Sequence, residues 1–173
     1  GADIQVGVPG TLRQMVEQQI ERLRPAQRRV LEVASVAGAE FSAAAVAAGM
    51  EEEAVAVEEQ CEELGRHGHF IQAKGIQEWP DGTLASQYRF VHALYREVLY
   101  ERVAAARRVQ LHRLIGTRLE AGYAEQAGEI AAELAVHFGR GRDTQRAVQY
   151  LGQAGENAAR KSAHREVIAH LTK

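Results

Sequence analysis

Apolar positions recur along this chain mostly at helical spacing, and the breaks between the runs mark off short helices. Leu12, Met15, Val16, Gln19, Ile20 and Leu23 trace one stripe behind Thr11, whose hydroxyl can cap a first helix. Pro25 suits the first position of a second helix, which carries Val30, Leu31 and Ala34 and ends near Gly38. Ser42 is placed to cap a short alanine-rich helix that stops at Gly49. The next helix is expected to open on Glu51, Glu52 and Glu53, carboxylates that favour the positive end of the dipole. Its inward face reads Ala54, Val57, Cys61 and Leu64, and Gly65 or Gly68 can end it.

The period then changes. Residues 70–74 and 87–91 read as two short strands around Trp79-Pro80-Asp81-Gly82-Thr83, a turn in which Asp can bond its own backbone. Helix returns at Ala93, with Leu94, Val98 and Leu99 on one face, then Leu111, Leu114, Ile115 and Leu119 up to about Gly122. Ile130, Leu134, Ala135 and Phe138 mark another helix, closed by Gly139-Arg140-Gly141. Ala147, Tyr150, Leu151 and Ala154 continue the pattern, and Ile168 with Leu171 is expected to begin a last helix. The parts predict a mainly α fold in two pieces. A winged helix, that is a helix-turn-helix with a β-hairpin wing, is expected over 7–103, followed by antiparallel, tetratricopeptide-like helical hairpins over 104–173. Residues 1–6 read as a tag or linker, with Gly1-Ala2 as a cloning scar, and the whole as a fragment of a longer protein.

Composition agrees with helices: of 173 residues, 46% are hydrophobic, only 6% are aromatic and three are Pro. The longest apolar run, Ala43 to Ala48, is far short of the roughly 20 residues of a membrane span. A single Cys allows no internal disulfide and suits a reducing, cytoplasmic setting. Charge is uneven: residues 1–90 hold 8 Lys+Arg against 14 Asp+Glu (−6), and residues 91–173 hold 13 against 9 (+4). Neither half has the clustered basic residues of a nucleic-acid footprint.

Ala45, Gly49 and Val55 give the spacing of a helix-turn-helix, in which Gly turns the chain and Val returns to the core. The would-be recognition helix, 51–65, carries seven Glu (51, 52, 53, 58, 59, 62, 63) and no Lys or Arg. Such a helix in a major groove would set carboxylates against phosphates, so DNA is an improbable partner and the motif reads as scaffold. Leu134, Ala135, Phe138, Ala147, Leu151 and Ala154 reproduce the small and large positions of one tetratricopeptide repeat, with Ala131 where Trp is usual.

Catalytic signatures are missing. No two Gly lie five apart, so there is no GxxxxGK[ST], and HExxH, CxxC and GxSxG are also absent. The catalytic and metal assignments are therefore none. His67 and His69 could offer two metal ligands, but a solvated turn explains them better, and Cys61 reads as core. Glu97 and Glu101 lie one turn apart between Arg96 and Arg102, which suits an exposed ion-pair face as well as an acid/base pair. His92 stands where the second strand meets the next helix. It can donate to a phosphate together with free backbone amides, or serve as a capping or buried structural His.

The stretch Tyr88-Arg-Phe-Val-His-Ala-Leu-Tyr-Arg-Glu-Val-Leu-Tyr100, after the acidic helix-turn-helix, resembles the signal-transduction ATPases with numerous domains (the STAND class). More narrowly, it resembles the region behind the AAA-type ATPase core in large bacterial regulators: predicted ATPases, adenylate cyclase fusions and transcriptional activators. Residues 8–12, 33–41 and 129–138 carry further stretches of the likeness. The resemblance implies a winged helix packed on an upstream ATPase domain of the same chain, with helical repeats as an arm for a protein partner. It implies no cofactor in this stretch, and ATP or ADP with Mg²⁺ in the parent protein. Relatives with an NB-ARC core place a Met-His-Asp motif at this strand–helix junction, its His on the phosphates of ADP. Val91-His92-Ala93 keeps the His and lacks the Asp, so the resemblance raises His92 as a possible ADP-phosphate sensor.

Overall fold

A computed structural model describes residues 8–172, and the expected tag at 1–6 lies outside them. Helices α1 (Val8–Glu21) and α2 (Pro25–Ala37) lead into strand β1 (Glu40–Ser42) and helices α3 (Ala43–Met50) and α4 (Ala54–His67). A hairpin of β2 (Ile71–Glu78) and β3 (Leu84–Phe90) follows, then α5 (Ala93–Arg102) and α6 (Ala105–Tyr123). A 3-10 segment (Ala124–Ile130) joins α6 to α7 (Ala131–Arg140) and α8 (Thr144–Leu171). The protein is mainly helical, with one small antiparallel sheet of strand order β1-β3-β2.

Local chemistry sets several boundaries as expected. Pro25 opens α2, where its missing N–H costs nothing. Ser42 Oγ accepts from the Ala45 amide at 3.1 Å and caps α3. Gly68 closes α4, its N–H donating to the Leu64 carbonyl.

Other boundaries moved. Thr11 lies inside α1 rather than at its cap, because the helix already includes Val8. Glu51 takes a left-handed conformation that ends α3, and Glu53 is the N-cap of α4, so the Glu triplet forms the turn and α4 starts at Ala54. Gly49 is the penultimate residue of α3, not the turn. A Cβ there would stand 2.8 Å from Val33 Cγ1, so its role is close helix packing. Val55 is 67% exposed, and Val57, two residues on, is the side chain that returns to the core.

Both hairpin strands are displaced from their expected limits, with Phe70 and Val91 outside them, and β1 was not foreseen. Three residues are too few to show a period. Strand β1 exists because Phe41 pairs with Tyr88 and stacks on it at 5.9 Å. The β2–β3 register shifts by one between Ala73 and Gly75, which leaves Lys74 as a bulge whose Nζ donates to Glu40 Oε1 at 2.8 Å. The expected last helix at Ile168 is instead the end of a continuous 28-residue α8.

One core runs through the molecule, from Val16 and Ile20 of α1 to Tyr150 of α8. Helix α6 ties it together by packing on α2 and α3 as well as on α7, which in turn pairs with α8. The hairpin turn joins the same helix. Trp79 is 2% exposed and meets Gly122, where a Cβ would come within 2.3 Å of its ring. The Asp81 amide donates to the Gly122 carbonyl at 3.0 Å. Arg118 lies 4.8 Å from the Trp79 ring and donates to Thr83 Oγ1 at 2.9 Å. The hairpin tip is thereby fastened to the end of α6.

Candidate functional site

The single cofactor candidate from the sequence, His92, is the N-cap residue of α5. Its side chain makes no capping hydrogen bond and is exposed, with the ring 5.8 Å from that of Tyr95. Extended backbone at His92 (φ −135°, ψ 141°) carries the chain out of β3, so the imidazole sits on the surface beside the first turn of α5. Tyr95, three residues on, also packs on Phe70 at 5.1 Å.

The remaining candidates are not brought together. Glu101 pairs with Arg13 of α1, and Arg102 with Glu32 of α2 at 3.9 Å, while Glu97 is exposed without either partner. The Glu97/Glu101 acid/base pair does not form. Cys61 is buried, and desolvation pushes its thiol up to about 12, which suits a core residue. His67 and His69 are exposed at the end of α4. Among the described residues, no group of three or more His, Cys, Asp and Glu converges to hold a metal. No described helix is long and apolar enough to cross a membrane.

The structure also assembles a polar cluster that periodicity hid. His112 of α6 is 1% exposed and His137 of α7 3%, with their Nδ1 atoms 3.0 Å apart. Tyr100 Oη lies 3.1 Å from His112 Nε2, and the Ala37 backbone lies beside His137. Two facing Nδ1 atoms at this distance share one proton, one donating and the other accepting. Each ring then carries one proton and is neutral.

Adding a proton to each ring would turn the two Nδ1 atoms into facing donors. It would also create a buried cation near Arg140 and Arg96. Both rings are accordingly poor bases: burial first, then the neighbouring ring and Arg140, Arg96 and Arg108, lower His112 to about 3. Burial dominates again at His137, which falls to about 4 with Arg140 and Arg96 contributing. In sequence these residues sit at i and i+25 on separate helices, where nothing signals that they meet. One signal was available. His112 lies between Leu111 and Ile115 on the apolar face of α6, a polar residue at a core position.

Three guanidinium groups surround Tyr100. Arg108 lies 4.8 Å and Arg140 6.0 Å from its ring centre, and Arg96 Nε donates to the Ser35 carbonyl at 3.0 Å. The face of α5 that carries Arg96 and Tyr100 runs into a cavity bounded by Ala39, Phe90, Ala93, Arg96, Glu97, Tyr100 and Arg140.

No family model, curated protein or solved structure matches the chain.

Proposed function

We propose that this chain is a non-catalytic regulatory module of a multidomain signal-transduction ATPase, relaying the nucleotide state of an upstream ATPase domain to a helical arm. In this reading α2 to β3 form a winged helix, which the order helix–strand–helix–helix–hairpin and the strand order β1-β3-β2 support. Helices α6 to α8 form the start of a tetratricopeptide-like arm that binds a protein partner.

The observation that carries the proposal is the situation of α5. This ten-residue helix has exposed His92 at its start and Tyr100, bonded to His112 of α6, near its end. A ligand that orders the His92 end therefore acts on a rigid element continuous with the arm, the kind of two-state coupling a switch needs.

The test uses the full-length protein, whose gene should encode an upstream GxxxxGK[ST]. A hydrogen bond from His92 to an ADP phosphate is worth about 1.5–3 kcal/mol. His92→Ala should then speed ADP release by roughly 10- to 150-fold, at about tenfold per 1.4 kcal/mol. The isolated chain should keep its melting temperature, because the ring contributes to no core. Unchanged ADP release with a destabilised fold would sink the proposal.

An adaptor that binds protein without sensing nucleotide is the second reading. It is favoured by Val167, Ile168 and Leu171, which the last turns of α8 leave exposed. A DNA-binding module is third. Glu51, Glu52, Glu53, Glu59 and Glu62 are all exposed along α4 and its turn, and the hairpin tip is occupied by α6.

A further inference from the structure

Residues 93, 96, 97 and 100 follow the i, i+3, i+4, i+7 spacing of one helical stripe, and this stripe forms one wall of the cavity. Arg140, at the end of α7, forms another, and the cavity, open to solvent on one side, has a volume of about 410 Å³. Two guanidinium groups from different helices thus face a single space.

Their charge is not balanced from within. Among the described residues, no ion pair reaches Arg96, Arg108 or Arg140. Arg108, stacked on Tyr100, also keeps its Nε buried without a hydrogen-bond partner. Nearby carboxylates are engaged or turned elsewhere: Glu32 faces Arg102, Glu101 faces Arg13, and Glu133 stands 4.0 Å from His137. Glu97 is the one carboxylate among the lining residues, and it is exposed. The two histidines behind Tyr100 are held neutral and supply no anion.

Arg96 is positioned for recognition, since the bond to Ser35 uses one of its five donors and fixes its plane. Planar, oriented guanidinium pairs match the oxygens of a phosphate, and an anion held between two of them offsets their mutual repulsion.

We propose that this cavity is an oxyanion site that takes a phosphate dianion, free or as a small monoester, between Arg96 and Arg140. Ala39, Phe90 and Ala93 form the apolar wall available to the organic part of an ester. The site is separate from His92, which does not line the cavity, and stands whether or not an ATPase domain precedes this chain.

The experiment is calorimetric titration of the protein with inorganic phosphate and with adenosine 5′-monophosphate, at fixed physiological ionic strength. Saturable binding is expected, and Arg140→Gln, at an exposed position, should weaken it by about tenfold or more, the worth of one charge-assisted hydrogen bond. Arg107→Gln removes the same charge from an exposed site beside Gln110 and should change affinity by less than about twofold, as a screened distant charge would. Arg96→Lys keeps the charge, loses the planar fork and should also weaken binding, with the melting temperature in phosphate-free buffer confirming the fold. Tighter binding of the monoester than of phosphate assigns an ester ligand, and equal binding assigns the free ion. Absence of saturable binding overturns the proposal, and so does an equal loss in Arg140→Gln and Arg107→Gln, which would mark diffuse attraction only.

Discussion

Acidification should loosen this fold well before its carboxylates titrate, and the cause is the buried His112–His137 pair. Both rings are poor bases when folded, at about 3 and about 4. In the unfolded chain a histidine titrates near 6.5, so between these limits the unfolded state binds more protons and stability falls as pH is lowered. The contribution is complete above about pH 6.5, shrinks as pH drops, and stops shrinking only below the folded-state values. From pH 6.5, where the unfolded ring is half protonated, to pH 5 each ring costs about 1.5 kcal/mol, and the pair about 3 kcal/mol. That is a large share of the roughly 5–15 kcal/mol that holds a domain of this kind together.

Carboxylates enter mainly below this window. Glu32 and Glu133, raised first by desolvation, act in the opposite sense. Glu40, held low by Lys74, and Asp81, held low by Thr83, act in the same sense on exposed positions. In the pH 6.5–5 interval the raised Glu32 and Glu133 oppose the histidines, and comparison with a variant lacking both rings separates the two. Urea unfolding at pH steps across it should show the wild-type midpoint falling, and His112→Leu/His137→Leu should flatten the dependence even where it lowers absolute stability. Should that double variant fail to fold, imidazole proton resonances of the wild type give the same answer. Two rings should stay in their neutral form down to pH 5. Midpoints above pH 6 for both rings, or an equal slope in the double variant, would refute the reasoning.

The fastening of the hairpin to α6 predicts that Trp79→Ala costs about 3–5 kcal/mol, the range for deleting a buried Trp, read as a lowered urea midpoint. Gly122→Ala adds a Cβ within 2.3 Å of that ring and should lose about 1–3 kcal/mol, despite the better helix propensity of Ala. Cys61 should react with a thiol reagent only at the rate of unfolding, because its thiol is buried and raised to about 12. Rapid labelling of the native protein would show that α4 opens locally.

Much of the local structure was legible in the sequence because it depends on neighbours a few residues apart. Pro25, Ser42 and Gly68 punctuate helices through bonds to their own backbone, and the Trp79–Thr83 turn closes through Asp81, whose carboxylate accepts from the Thr83 amide at 2.9 Å. The apolar stripes of α2, α6 and α7 face the core at helical spacing, with Leu31, Leu111, Ile115, Leu134 and Phe138 buried, so their type was secure. Short or dispersed signals failed. The Glu triplet has the charge for a helix start, yet the chain needs those residues for the turn, and Val55 lost its core position to Val57 once α4 began at Ala54. His92 was legible as a junction residue, but its exposure followed only from how α5 leaves the sheet.

What the sequence by itself determined is the succession of helices around one hairpin, together with the acidic character of α4. The tertiary structure alone decided which side chains meet. Strand β1 is held by pairing 47 residues away, from Phe41 to Tyr88, and no local preference specifies it. The Tyr100–His112–His137 chain, and the cavity between Arg96 and Arg140, each draw on helices that close against one another only when α6 seals the core. Burial and like-charge proximity are properties of that closure. An arginine or histidine at a given position has no unusual chemistry until packing removes its water and chooses its neighbours.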